Sequence, residues 1–121
     1  MTAPVSEYVS VAASSWQLRR PGVHWKVLYE DGPRQTVLVR YEPGALVPRH
    51  RHLGEEQIFV LEGSVSDDTG TCAAGDYARR PRGCVHSVRS PGGALVLAIM
   101  SGGTEPVPEA GAAEGVNSKR G

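Results

Sequence analysis

The chain has 121 residues, of which 40% are hydrophobic and 21% charged, with 15 Gly and 9 Pro. This length suits a single compact domain, and the abundance of turn-forming residues favours strands over a helical bundle. Lys and Arg number 13 and so do Asp and Glu, so the formal net charge is +0. A neutral chain has no overall field to attract nucleic acid or an anionic membrane, and neither partner is expected.

The lack of a recognisable targeting signal and the small number of cysteines predict a location inside the cell. No apolar run approaches the roughly 20 residues of a membrane span, and the first residues lack the pattern of a secretory signal. Cys72 and Cys84 are too few for a disulfide framework and are predicted to be free thiols. We therefore expect a cytoplasmic protein that does not enter a membrane.

The predicted domain spans residues 16–101, between a flexible N-terminal segment (1–15) and a flexible C-terminal tail (102–121) that are both poor in residues that bury well. Five segments with period-two or short apolar runs are predicted to be strands: Val23 to Tyr29, Thr36 to Tyr41, Gln57 to Leu61, Val85 to Val88 and Ala94 to Ile99. Gly, Pro and Asp fill the breaks between them, which is typical of hairpin turns. The pattern predicts an all-β fold, a sandwich or small barrel of antiparallel strands.

Three of the four histidines lie in two clusters next to turn glycines. On a strand, His50 and His52 share one face about 7 Å apart, and Glu56 keeps the same parity. His86 would have to arrive from a strand distant in sequence. His24 stands alone and is predicted to be structural, and Glu55 should point away unless the hairpin carries a bulge.

These four side chains, from His50, His52, Glu56 and His86, are the predicted ligands of one divalent metal ion. A His-x-His pair alone is often only a surface pair, but here the second cluster and the turn glycines accompany it. Three imidazoles and a carboxylate suit Zn, Fe(II), Mn, Ni or Cu, and the ligand set does not choose among them.

The two clusters resemble the paired sequence motifs of the cupin superfamily. The first motif, Gly-x5-His-x-His-x3-4-Glu-x6-Gly, is matched by Gly44, His50, His52, Glu56 and Gly63. The second, Gly-x5-Pro-x-Gly-x2-His-x3-Asn, is matched by Gly75, Pro81, Gly83 and His86, with Ser90 in place of the final Asn. The Asn is not a metal ligand in the motif, so the prediction of a metal site is unaffected. The resemblance implies a small antiparallel jelly-roll β-barrel of the RmlC-like type.

A narrower resemblance covers about Trp16 to Met100. Segments such as His50-Arg51-His52, Gly54-Glu55-Glu56 and Val60-Leu61-Glu62-Gly63 are similar to the cupin domain of ChrR-type anti-sigma factors. Relatives of this subgroup resemble acetylacetone and dihydroxyacetophenone dioxygenases. ChrR-type proteins carry a helical zinc-binding domain before the cupin, and the residues before Trp16 do not match it, so a stand-alone cupin is expected.

Four further residues are candidates for contact with a substrate. Tyr77, Arg40 and Arg79 could orient an oxygen-rich substrate, although a solvated strand face is an equally ordinary place for the two arginines. Cys84 shares the strand parity of His86 and could face the pocket, or it could be a buried small hydrophobe.

Two functions follow from a metal site in such a barrel. The first is a mononuclear non-haem Fe(II) dioxygenase that uses O2 to cleave a small diketone or hydroxyketone, with a redox-silent isomerase or cyclase as a variant of the same class. The second is a non-catalytic zinc-binding sensor like the ChrR cupin domain. The resemblance also implies a homodimer, and Val39, Tyr41, Phe59 and Leu61 are predicted to face outwards at its interface.

Overall fold

The structure is a computed structural model that describes residues 2–109, and within that range it contains ten β-strands and no α-helix. The strands are β1 (Gln17–Arg20), β2 (Val23–Asp31), β3 (Arg34–Tyr41), β4 (Ala45–His52), β5 (Glu56–Asp67), β6 (Gly70–Ala73), β7 (Tyr77–Arg80), β8 (Val85–Ser90), β9 (Ala94–Met100) and β10 (Thr104–Pro106). All five predicted strands are present, most of them longer than the apolar pattern indicated. In the same range no helix is long and apolar enough to cross a membrane.

Every strand pairing is antiparallel, in the order β1-β2-β3-β9-β5-β8-β4-β10, with β6 and β7 also paired to β5. The long strand β5 pairs with β9 and β7 along its first half and with β6 and β8 along its second half. One strand therefore belongs to both faces of the structure and bends the sheet round on itself. The predicted all-β antiparallel barrel is confirmed.

The core lies inside this curled sheet and follows the period-two pattern of the strands. Valine predominates, because β-branched side chains pack well on a pleated surface. The most deeply buried hydrophobic residues are Val23, Val37, Val60, Val65, Val96 and Ala98. The polar ends of the strands lie at the openings, which leaves one interior space lined from several strands.

Gly63 marks the place where the chain passes closest to another turn. Its φ is +71°, and a Cβ built on it would lie 2.0 Å from the carbonyl oxygen of Gly93. Only glycine accommodates both the left-handed backbone and the close approach. This explains the second glycine of the first motif as a packing requirement of the β5 bend.

Two predictions of domain limits are affected by the structure. The predicted C-terminal tail began at residue 102, but Thr104–Pro106 forms β10 and pairs with β4, so the sheet extends past the predicted domain limit. Apolar content was too low there to indicate a strand, because all three residues of this edge strand are exposed. Residues 110–121 of the predicted tail lie outside the described residues. At the other end, Val11 belongs to the segment 1–15 that was predicted to be flexible. Its carbonyl oxygen accepts a hydrogen bond from the Lys26 ammonium group at 2.7 Å, so this segment contacts the barrel.

Two of the four residues predicted to face outwards do not do so. Phe59 and Leu61 are 42% and 44% exposed, as expected, but Val39 is only 5% exposed. Val39 and Tyr41 both line the interior cavity. The prediction was wrong for this pair because it assigned the wrong face to β3, where a shift of one residue exchanges the inner and outer sides.

Candidate metal centre

The register between β4 and β8 places His50 directly opposite His86. This pairing depends on a bulge in β4, because Val47 pairs with Val88 while His50 pairs with His86, so β4 carries one extra residue. His52 lies two residues beyond His50 and shares its face, as the sequence predicted. Neighbouring strands thus bring His86 together with histidines that are 34 and 36 positions away in sequence.

The three histidines present their ring nitrogens to one point. Nitrogen atoms of His50, His52 and His86 all lie within 4.8 Å of one another. The Nε2 atoms of His52 and His86 are 3.0 Å apart, and the ring centroids are separated by 4.7 to 5.0 Å. Two imidazole nitrogens about 2.1 Å from one ion lie about 2.9 to 3.4 Å apart, depending on the coordination angle. The His52–His86 spacing is therefore that of two ligands of one ion, and His50 lies close enough to be the third.

Hydrogen bonds on the far side of two rings fix which nitrogen is free. His50 Nδ1 donates to the carbonyl oxygen of Pro48 at 2.7 Å, and His86 Nδ1 donates to Asp67 Oδ2 at 2.8 Å. Each acceptor can only accept, so both Nδ1 atoms carry the proton and both Nε2 atoms keep a lone pair. These two rings are held in the tautomer that a metal requires.

Burial keeps the three imidazoles neutral. It is the main cause of the lowered pKa of His50, His52 and His86, and the pKa of His52 falls to about 4. Neighbouring histidines and the Arg80 guanidinium lower the pKa of His52 further. The neutral form binds metals, so at neutral pH these rings carry no positive charge that would oppose a divalent cation.

Glu56 lies beside this trio but is not part of its compact group. Its Oε1 atom is 3.8 Å from His52 Nε2 and 3.7 Å from the Arg80 guanidinium. Burial raises the pKa of Glu56, and the Arg80 charge opposes this rise. The carboxylate is close enough to serve as a fourth ligand after a small movement, with Arg80 as its alternative partner.

The histidines form part of the wall of an interior cavity of about 330 Å³, a size that suits a small molecule. Its polar lining also includes Tyr41, Arg80, Arg19 and Arg20. Burial is the main cause that raises the pKa of Tyr41 to about 12, and the nearby Glu56 carboxylate adds to it. The phenol is therefore neutral and able to donate a hydrogen bond into the cavity.

The structure does not bring the predicted substrate-binding residues into this cavity. The Tyr77 hydroxyl donates to Gln57 at 2.6 Å, and Arg79 forms an ion pair with Glu55. The parity of Glu55 is thus as expected, since it points away from the histidines.

The other two candidates also lie elsewhere. Arg40 is exposed, with its guanidinium 5.6 Å from the centre of the Trp16 ring. Cys84 borders a second, more open depression together with Asp67 and Arg80, and is not in the lining of the histidine cavity. It precedes β8 and so does not follow the parity of that strand.

Two polar contributions to the site were missed by sequence reasoning. Arg80 lies opposite Glu56 across β7 and β5, whereas Arg79, one residue away, points outwards. Asp67 reaches His86 because β5 carries a bulge between Val60 and Glu62, which moves odd-numbered residues to the inner face. No pattern in the sequence indicated this change of face along β5, so Asp67 was interpreted as one of the turn residues.

These residues fit a divalent metal ion. Three neutral imidazoles with convergent nitrogens are strong ligands for Zn, Fe, Ni, Cu or Mn, and two of them already have the outer hydrogen bonds that orient metal-bound histidines. The structure therefore contains a three-histidine cluster that is suited to a metal.

The curled antiparallel barrel and its histidine cluster define the chain as a cupin. A family model described as the ChrR cupin-like domain matches residues 5–104, and the chain belongs to this family. No curated protein sequence matches it.

Solved structures share the fold at low sequence identity. A candidate acetylacetone dioxygenase from Methylibium petroleiphilum PM1 has a TM-score of 0.81 and 19% identity, over 93% of this chain and 88% of its own. An acetylacetone dioxygenase from Acinetobacter johnsonii has a TM-score of 0.79 and 17% identity, over 94% and 86%.

The structure of Rhodobacter sphaeroides SigE in complex with the anti-sigma ChrR also matches, with a TM-score of 0.68 and 26% identity. The match covers 75% of this chain but only 51% of the matched chain. The shared part is therefore about half of that longer protein.

A first prediction concerns metal binding by the histidine cluster. We expect Zn²⁺ at 100 times its Kd to stabilise the protein by about 2.7 kcal/mol, because it binds only the folded state. His50→Ala should abolish this stabilisation, whereas His24→Ala should retain it, since His24 pairs with Glu42 away from the cluster. Thermal unfolding with and without the metal provides the measurement, and equal stabilisation of both variants would contradict the assignment.

A second prediction concerns the support of His86 by Asp67. Removing the negative charge in Asp67→Asn should weaken Zn²⁺ binding about 10- to 100-fold, because the carboxylate orients the ring and raises its basicity. The exposed neighbour Asp68 provides a matched control, and Asp68→Asn should leave the affinity unchanged. Competition titration with a chelating dye measures both, and an unaltered Kd in Asp67→Asn would show that the negative charge is dispensable.

Proposed function

We propose that this protein is a mononuclear non-haem Fe(II) dioxygenase that acts on a small diketone or hydroxyketone. The observation that carries the proposal is the position of the histidine cluster, which forms part of the wall of a cavity of about 330 Å³. A metal held there by protein ligands would have its remaining coordination positions open to molecules in the cavity, and it would supply Lewis acidity or redox chemistry to them.

The metal would be held by His50, His52 and His86, with Glu56 as the proposed fourth ligand. When bound, it supplies Lewis acidity and, in the case of iron, the redox chemistry of O2 activation. Zinc at the same site would support only a redox-silent reaction such as isomerisation or cyclisation.

The chain itself contributes the environment of the reaction. Apolar side chains from five strands surround the cavity and limit access of water: Val23, Val39, Val47, Ile58, Val96 and Met100. The neutral Tyr41 hydroxyl is available to donate a hydrogen bond to a substrate oxygen as negative charge develops there. Solved relatives named as acetylacetone dioxygenases make a β-diketone the first substrate to test.

A second candidate function is a non-catalytic sensor in which zinc is bound permanently. The match to the ChrR cupin-like family and the 26% identity to a chain of the SigE–ChrR complex favour it. In a sensor, protein ligands should occupy all coordination positions of the metal ion, whereas an enzyme needs positions that substrate or water can occupy and leave.

The metal and the reaction can be tested together. Protein produced with iron and zinc both available and purified without oxygen should contain near-stoichiometric iron. It should consume O2 when pentane-2,4-dione is added, and His86→Ala should reduce the rate at least 100-fold, because a cluster with one ligand missing no longer holds iron. His24→Ala is the control and should be as active as the wild type.

The alternatives give different results in the same experiment. Stoichiometric zinc without O2 consumption would favour the sensor or a redox-silent enzyme over the dioxygenase. Full O2 consumption by His86→Ala would contradict a role for the cluster in the reaction.

We also propose a homodimer that forms through the outer face of the sheet containing β5 and β9. Phe59 and Leu61 on β5 and Ile99 on β9 are each more than 40% exposed. Leu97 on β9 is the cross-strand partner of Phe59. Exposed apolar residues grouped on one sheet face are typical of an interface between copies.

Substitution of this face should change the oligomeric state. Phe59→Lys should weaken dimerisation at least tenfold, because it places a charge in an apolar contact. Leu46→Lys is the matched control, since Leu46 is 55% exposed but lies on β4 in the opposite sheet. Sedimentation velocity over a range of concentrations measures the effect, and a monomeric wild type would rule the proposal out.

The free thiols support a reducing compartment, and we propose the cytoplasm. Cys72 is buried and Cys84 is half-buried, and neither forms a disulfide. Fractionation of the producing cells tests this location, and enrichment in the extracytoplasmic fraction would exclude it.

A further inference from the structure

The charged lining of the histidine cavity is strongly unequal in sign. Three arginines line it, Arg80 and the exposed pair Arg19 and Arg20 on β1, against the single acidic residue Glu56. The chain as a whole is neutral, so this excess is local to the cavity. A divalent metal at the histidines would add to it.

A bulge in the edge strand β1 brings two consecutive arginines to the cavity. Leu18 pairs with His24 and Arg20 pairs with Val23, so Arg19 is the extra residue on β1. In a regular strand one of two neighbouring side chains would point away, but the bulge allows both to line the cavity. Bulges that redirect a side chain are common beside functional sites.

The three arginines differ in the side chains that their guanidinium groups contact. Arg80 lies 3.7 Å from Glu56, and the Arg19 guanidinium stacks 4.1 Å from the centre of the Trp25 ring. Among residues 2–109, no carboxylate lies within ion-pair distance of Arg20. Arg20 is thus a cation at the cavity without a protein counter-ion in the described chain.

We propose that the natural ligand of this cavity is an anion, a small oxo acid whose carboxylate binds Arg20 while its carbonyl oxygens face the histidine cluster. The proposal rests on the proposed function for the position of the carbonyl oxygens and extends it by naming the substrate class. A guanidinium binds a carboxylate through two parallel hydrogen bonds, which would also fix the orientation of the molecule. Arg19, next to Arg20, adds positive charge at the same end of the cavity.

A matched pair of probes separates the carboxylate from the diketone. 4,6-Dioxoheptanoate and heptane-2,4-dione have the same carbon chain and the same diketone, and differ only in a terminal carboxylate in place of a methyl group. Calorimetric titration of the Zn²⁺-loaded full chain avoids turnover. We expect the anionic probe to bind at least tenfold more tightly than the neutral one.

Substitution of Arg20 tests whether that preference comes from the proposed contact. Arg20→Gln should reduce the affinity for 4,6-dioxoheptanoate about tenfold and leave the neutral diketone unaffected, and Arg20→Lys should retain part of the preference. Arg40→Gln is the control, because Arg40 is an exposed strand arginine outside the cavity lining. Equal affinity for the two probes, or an unchanged preference in Arg20→Gln, would overturn the proposal.

The outcomes also separate this inference from the dioxygenase proposal. If the iron-loaded protein consumes O2 with heptane-2,4-dione but does not bind the anion more tightly, the dioxygenase stands and the anionic substrate is excluded. If the anion is preferred in an Arg20-dependent manner but neither probe supports O2 consumption, the anion site stands and the dioxygenase is excluded.

Discussion

The convergence of three imidazole nitrogens depends on one strand register. His50 faces His86 only because β4 carries an extra residue before them, and a slip of one position would turn β4's histidines to the outer face. Burial on this inner face lowers the pKa of all three rings and keeps them neutral. The hydrogen bonds from Nδ1 to Pro48 and Asp67 then leave Nε2 free on two of them. The ability of the three histidines to bind a metal is therefore a consequence of how the backbones of β4 and β8 pair.

The cavity has two chemically distinct parts. The histidine cluster, on β4 and β8, can hold a metal, and the cationic part comes mainly from β1 and β7. His52 and His86 in the first part are buried, whereas Arg19 and Arg20 in the second part are exposed on the edge strand β1. A ligand with oxygen donors at one end and negative charge at the other would satisfy both parts at once. Within the cationic part, Arg80 is partly neutralised by Glu56.

Sequence reasoning succeeded where regular alternation held. The i, i+2 spacing correctly placed His50 and His52 on one face, and the expected distant strand, β8, brings His86 beside them. It failed where a bulge or an exposed edge broke the alternation. Asp67 and the pair Arg19 and Arg20 depend on bulges in β5 and β1, and β10 has no apolar pattern at all. Val39 and Tyr41 were assigned to the wrong side of β3 because alternation gives two faces without saying which is inner.

The sequence by itself determined the all-β class, the family resemblance and the residue types available for a metal site, because these depend on local periodicity, turn chemistry and motif spacing. The tertiary structure decided which side chains share the cavity: Tyr41, Arg80, Arg19 and Arg20 line it, while Tyr77, Arg40 and Arg79 do not. The physical reason is that each strand offers its alternate residues to opposite faces. Register and bulges, which form only when distant strands pair, choose between those faces.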